Sequence, residues 1–148
     1  MSKPRELPLE ATHRVRDACL CLHAQRAARA LARRFDEALR PLDLTSGQFS
    51  LLMSLNRPAP PTIGSVAGLL AMDRTTLTAA LKPLRRRGLL KVSIDKEDRR
   101  SRRLRITAAG RALLSKAFPL WQGTHAATER LIAGGNADDL RAALRALS

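Results

Sequence analysis

Between residues 12 and 42, apolar side chains recur at intervals of three and four: Leu20, Ala24, Ala27, Leu31, Phe35, Ala38 and Leu42, with arginines between them. That period predicts one long amphipathic helix over about 12–39, closed by Pro41. Thr45-Ser-Gly-Gln48 has capping-box spacing ahead of a helix carrying Phe49, Leu52, Met53 and Leu55. After the stiff loop Arg57-Pro-Ala-Pro-Pro61, Thr62 is placed to cap a short helix through Ile63, Val66, Ala67, Leu69 and Leu70. Asp73 is placed to cap the next, over 74–87, with Leu77, Leu81 and Leu84 on its apolar face. Pro83 should bend that helix because it cannot donate to Ala79, and Gly88 is suited to its C-terminal cap.

The period then changes. Leu90, Val92 and Ile94 alternate with Lys91 and Ser93, the pattern of a half-buried strand. A charged turn over 95–102 leads to a second strand with Leu104 and Ile106 on one face and Arg103 and Arg105 on the other. Thr107 opens a long helix through Leu113, Leu114, Ala117, Leu120 and Trp121, kinked near Pro119. Gly134-Gly135 breaks it, and Asn136 caps a last helix along Leu140, Leu144 and Leu147.

Charge sharpens this picture. The 148-residue chain carries 27 Lys and Arg against 13 Asp and Glu, a formal net charge of +14. Residues 73–105 hold twelve of the basic residues and only four acidic ones. So uneven a distribution describes a surface for a polyanion rather than general solubility. With no Tyr and one Trp, the chain is poorly equipped to stack single-stranded bases. The N-terminal MSKPRELPLE lacks the apolar run of a signal peptide, and no stretch is apolar enough for a membrane span. The two cysteines are too few and too close for a disulfide scaffold. A reducing cytoplasm is the expected compartment, with no membrane partner.

Two short helices joined by a tight turn and followed at once by a basic hairpin make a helix-turn-helix with a wing. A helix is about as wide as the major groove of DNA, so one with a polar face can enter it. The helix after Asp73 offers Arg74, Thr75, Thr76 and Thr78 at its N-terminal end, opposite the leucines. Threonine can bond a base edge or press its methyl on thymine, and arginine can fork onto guanine. Lys82 and Arg85, further along, suit phosphates, as do the wing residues Arg99, Arg100, Arg102 and Arg103.

The segment Leu70-Ala-Met-Asp-Arg-Thr-Thr-Leu-Thr78, then Pro83-Leu84, Gly88-Leu-Leu90, Asp98-Arg-Arg100, Leu104-Arg-Ile-Thr107 and Gly110, resembles the MarR family of bacterial transcription regulators. The resemblance runs from about residue 12 to the C-terminus and is strongest over 66–110. It implies a dimer with interlocked terminal helices and two winged lobes on a pseudo-palindromic operator. It also implies that 73–87 is the recognition helix and that the Asp98-x-Arg100 tip reaches the minor groove, where negative potential favours arginine. Asp98 would be repelled by phosphate, so its expected role is to brace the wing by orienting an arginine. Ala79 departs from the polar or basic residue common at that place, which bears on operator sequence rather than on DNA binding.

The expected fold is thus mainly α with a small β-wing, a single domain over 1–148. Residues 45–106 would form the winged helix-turn-helix lobe, and 12–42 and 107–148 the dimerisation helices of a stem. Apolar terminal helices at opposite ends of a short chain independently favour a homodimer. His13, His23 and His125 are isolated, and no catalytic constellation, cofactor motif or phosphate loop stands out, so neither enzyme activity nor a cofactor is expected. Cys19 and His23, four apart, could pair as a thiolate or share zinc with a second copy, but a small core thiol beside a polar edge is the commoner arrangement, and no metal site is expected.

Cys21 falls where the hydroperoxide-sensing branch of that family carries its reactive cysteine. Phe35 and Ser46 stand where that branch has tyrosines, and no late cysteine is present to resolve a sulfenate. Cys19 and Cys21, two apart on one helix, would point to opposite faces. The expected function is a sequence-specific DNA-binding regulator, a repressor released by a small-molecule effector, with Trp121 and arginines of the first helix as candidate ligand contacts. The alternatives are a thiol-based redox regulator using Cys21, with Cys19 as its neighbour, and a non-specific architectural DNA-binding protein.

Overall fold

In the computed structural model, which describes residues 6–148, the chain is mainly helical with one two-stranded antiparallel sheet. Met1 to Arg5, the start of the segment lacking a signal-peptide pattern, lie outside the described residues. The chain forms two compact units, Met1–Arg34 and Phe35–Ser148. No helix among the described residues is long and apolar enough to cross a membrane.

The first unit holds helix α1 (Leu9–Ala18) and most of α2 (Leu20–Leu39). The single helix expected over 12–39 is therefore two. The break is at Cys19, whose backbone is extended at φ −71°, ψ 109°. Its Sγ accepts the Leu22 N–H at 3.4 Å, so the thiol acts as an N-terminal cap for α2. With no Gly or Pro at the break, composition gives no warning of it. No side chain of α1 is buried, and Leu9, Val15 and Leu20 are exposed.

In the second unit, α2 ends at Leu39 and a 3₁₀ turn over Arg40–Leu42 contains Pro41. Helix α3 (Ser46–Ser54) opens with the predicted capping box: Thr45 Oγ1 accepts from Gln48 N, and Gln48 Oε1 accepts from Thr45 N, both at 3.1 Å. Thr62 caps α4 (Ile63–Leu69), and Asp73 caps α5 (Arg74–Arg86). Gly88, at φ +71°, takes the left-handed conformation that stops α5, and Leu89 N returns to Leu84 O at 3.0 Å.

Strands β1 (Leu90–Ile94) and β2 (Arg102–Ile106) pair with Leu90 opposite Ile106 and Val92 opposite Leu104. Ile94, expected on the buried face, is 57% exposed because the hairpin has run past the core by that point. Helix α6 (Ala108–Glu129) is capped by Thr107 and continues through Pro119; α7 (Ala137–Ala146) is capped by Asn136. The core joins Leu39, Leu51, Leu52 and Leu55 to Val66, Leu77, Leu84 and Leu104. Each such side chain contributes roughly 1.5–3 kcal/mol by leaving water, and together they hold α5 with its leucines inward.

Candidate nucleic-acid interface

The leucine face of α5 decides what the opposite face presents. Leu77, Leu81 and Leu84 are buried, so Arg74, Thr75, Thr78, Lys82 and Arg85 project into solvent along one side. The helix begins on a tight cap: Asp73 Oδ1 accepts the Thr76 N–H, and Asp73 Oδ2 accepts the Thr76 hydroxyl, both at 2.7 Å. The Thr76 N–H, followed by its hydroxyl, holds the Asp73 carboxyl below its ordinary pKa, so the cap is an anion through neutral pH. The Thr76 hydroxyl proton is therefore committed to Asp73. Toward a base edge, Thr76 offers its methyl and oxygen lone pairs rather than a donor. Lys82, Arg85 and Arg86 line a shallow concavity of about 430 Å³ suited to phosphate.

The wing is braced by carboxylates acting on its backbone. Asp98 Oδ1 accepts the main-chain N–H of Arg100 at 3.0 Å, and Asp98 O accepts from Ser101 N at 2.9 Å. Asp98 thus orients Arg100 through the peptide, not through its guanidinium. The side chains of Arg99 and Arg100 have no hydrogen-bond partner among the described residues. Arg102 folds onto the carbonyls of Arg99 and Ser101.

Arg103, expected with Arg105 on the outward basic face, is turned inward. Its guanidinium donates to Pro60 O at 2.8 Å and pairs with Asp95 at 3.2 Å. The cause is a third backbone segment beside β2: Thr62 bridges Arg103, and Leu104 N donates to Pro61 O at 2.9 Å. Asp95 is buried, and its carboxyl is held below its ordinary pKa first by the Glu97 N–H and then by Arg103. Strand alternation does not record this inward turn, because it depends on the distant Pro60–Thr62 segment lying beside β2 as well as on Asp95 at the end of β1.

Further features of the packing were not visible in the sequence. Arg87 donates to Asp43 O at 2.6 Å and to Leu42 O at 3.3 Å, tying the end of α5 to the turn after α2. Between α3 and α6 lies a cavity of about 620 Å³ that includes Met53, Asn56, Arg111, Leu114 and Phe118. A neighbouring one of about 380 Å³ shares Met53 and Phe118 and reaches Trp121. Trp121 stacks on Phe118 and His125 with centroids 5.6 and 4.7 Å apart, and Arg111 donates to Asn56 Oδ1 at 3.1 Å.

The cysteines are not arranged as one helix would place them. Cys19 is half-buried at the break and Cys21 is exposed, with Gln25 Nε2 donating to its Sγ at 3.3 Å. Cys19 is not helical, so the two thiols are not set on opposite faces of one helix as expected. His23 Nδ1 lies 2.8 Å from the Cys19 carbonyl oxygen, so this ring nitrogen faces the backbone at Cys19.

The MarR family model matches residues 44–101, the span from the start of the capping box to the wing tip. A crystal structure of the M. tuberculosis transcriptional regulator MosR in complex with DNA is similar over 87% of this chain and 92% of its own, at 39% identity and a TM-score of 0.79. The transcriptional repressor CouR bound to a 23-mer DNA duplex is similar over 96% of this chain and 98% of its own, at 29% identity and a TM-score of 0.78. CouR from Rhodococcus jostii bound to p-coumaroyl-CoA shares the fold, at 18% identity and a TM-score of 0.75, over 88% of this chain and 92% of its own. Among curated proteins none matches. The chain belongs to the MarR family: it is a winged-helix, DNA-binding transcription regulator and not an enzyme.

Proposed function

We propose that this regulator is a cytoplasmic repressor that binds a pseudo-palindromic operator as a homodimer and is released by a small-molecule effector. The observation that carries the DNA assignment is the pairing of two free basic surfaces. The exposed side of α5 presents Arg74, Thr75 and Thr78, and the wing tip presents Arg99 and Arg100 on a braced turn. Thr76, Lys82, Arg85 and Arg102 complete the surface, and Arg103 with Asp98 sets the posture of the wing. The similarity to CouR, a repressor solved on DNA, supports the sense of regulation.

A dimer is supported by what the chain leaves uncovered. Leu9, Val15 and Leu20 near one end and Leu131, Leu140, Leu144 and Leu147 near the other are 43–71% exposed. Helices within 12–42 and 107–148 would bury these faces against a second copy, leaving 45–106 as the DNA-binding lobe. The α3–α6 cavities, apolar with Arg111 and Trp121 at their edges, suit an aromatic or carboxylate effector.

One observation favours the thiol reading as a second possibility: Cys19 sits at a helix break two residues from the exposed Cys21, not locked on an opposite helix face. One experiment separates the two. A footprint across the DNA upstream of the protein's own gene is repeated with candidate aromatic acids and with low-micromolar peroxide, for wild type and Cys21→Ser. The expected result is a two-fold symmetric footprint, lost with an aromatic acid and retained with peroxide in both proteins. A footprint lost with peroxide in wild type only, and restored by reductant, would replace the effector by the thiol.

A further inference from the structure

Gly64 is the second residue of α4, where alanine would favour the helix more than glycine does. Its backbone does not need glycine, since the left-handed glycines are Gly88, Gly134 and Gly135. Space explains it instead. A β-carbon at Gly64 would lie 2.9 Å from a terminal nitrogen of Arg74 and 3.8 Å from its guanidinium carbon. The guanidinium of Arg74 thus rests against the first turn of α4, in the place where residue 64 has no side chain. No carboxylate or carbonyl among the described residues holds it there, so its donors stay free. Gly68, on the same helix, has nothing within 4 Å of its would-be β-carbon.

We infer that Gly64 is a positioning residue for DNA recognition: its missing side chain is the seat that aims the unpaired Arg74 guanidinium from the start of α5. This rests on the assignment of Arg74 to the DNA interface. An arginine side chain has about four torsions to lose on binding, and resting its guanidinium on a flat glycine surface restricts them without occupying its donors. A methyl at 64 displaces only the far end of a flexible side chain, so the fold tolerates it while the aim of Arg74 changes.

The test is a double-mutant cycle on the full-length protein, measuring operator affinity and melting temperature for Gly64→Ala, Arg74→Ala and the double variant, with Gly68→Ala beside them. Both glycine variants should melt at or above wild type, because alanine favours a helix. Arg74→Ala should weaken operator binding about tenfold or more. Gly64→Ala should weaken it about three- to tenfold, and Gly68→Ala should leave it unchanged. In the Arg74→Ala background Gly64→Ala should add nothing, which a purely structural effect would not reproduce. A Gly64→Ala loss that persists without Arg74 would overturn the seat and show that residue 64 itself faces the DNA. Full binding by Gly64→Ala while Arg74→Ala is impaired would overturn it too. Full binding by Arg74→Ala would instead remove the underlying assignment of Arg74 to DNA.

Discussion

Replacing Gly110 by alanine should lower the melting temperature by about 5–10 °C, through a loss of about 2–3 kcal/mol. Gly110 sits in the first turn of α6, buried where that helix passes the end of α5 and the base of the wing. A β-carbon there would collide with the carbonyl oxygen of Leu89 and come within 2.7 Å of Ile106 Cγ1. Neither neighbour can swing away. Leu89 O accepts the Thr107 N–H at 3.1 Å, and Ile106 is a buried residue paired across the sheet with Leu90. The backbone must shift, and with it the knot in which Thr107 Oγ1 donates to Gly88 O and accepts from Gly110 N. Thermal unfolding followed by circular dichroism checks this; an unchanged midpoint would mean that α6 does not pack this closely on the wing.

Arg74→Ala and Thr76→Ala should each cost about 1–3 kcal/mol on the best operator and flatten the preference for it. The losses should differ in kind from that of Arg100→Ala. In the proposed interface Arg74 and the Thr76 methyl belong to the helix that would meet base edges, so their removal should relax selectivity. Arg100 is carried on a turn fixed by Asp98, and its loss should matter most where A·T pairs narrow the minor groove. Thr76→Ala also removes the hydroxyl that Asp73 holds, yet the backbone half of the cap survives, so folding should change little. Binding titrations against a panel of single-base operator variants read all three. Normal binding of every duplex by Arg100→Ala would contradict the wing assignment.

What the sequence revealed was local. Thr45, Thr62, Asp73, Thr107 and Asn136 each cap the helix that follows, because a cap is decided by residues within three positions. The leucine spacing of α5 placed its exposed face, and with it Arg74, Thr75 and Thr78. The hidden features depend on distant parts of the chain or on unusual caps. A thiol in place of a hydroxyl opens α2 at Cys19, a residue type with no capping signature. Arg103 alternates correctly with Leu104 and Ile106, but a strand's outer face is open only if nothing pairs with its free edge, and Pro60–Thr62 do. Ile94 kept the strand period after the core had ended. The α3–α6 cavities and the Arg87 tether arise from packing between elements far apart in sequence, which no local period records.

A basic lobe that grips phosphates and reads a particular sequence on top of that grip should show two separable contributions to affinity. Both are read by measuring affinity over a series of salt concentrations, on the footprinted operator and on an unrelated duplex of equal length. Each neutralised phosphate contributes a slope of roughly −0.9 in log affinity against log salt, so several arginines and lysines per lobe predict about −5 or steeper on the operator. At physiological salt the operator should bind on the order of a thousandfold or more tighter than the unrelated duplex. A nearly flat salt dependence would contradict the phosphate grip of the 73–105 surface. Equal affinity for the two duplexes at every salt concentration would contradict sequence reading by α5 and leave a general DNA-coating protein.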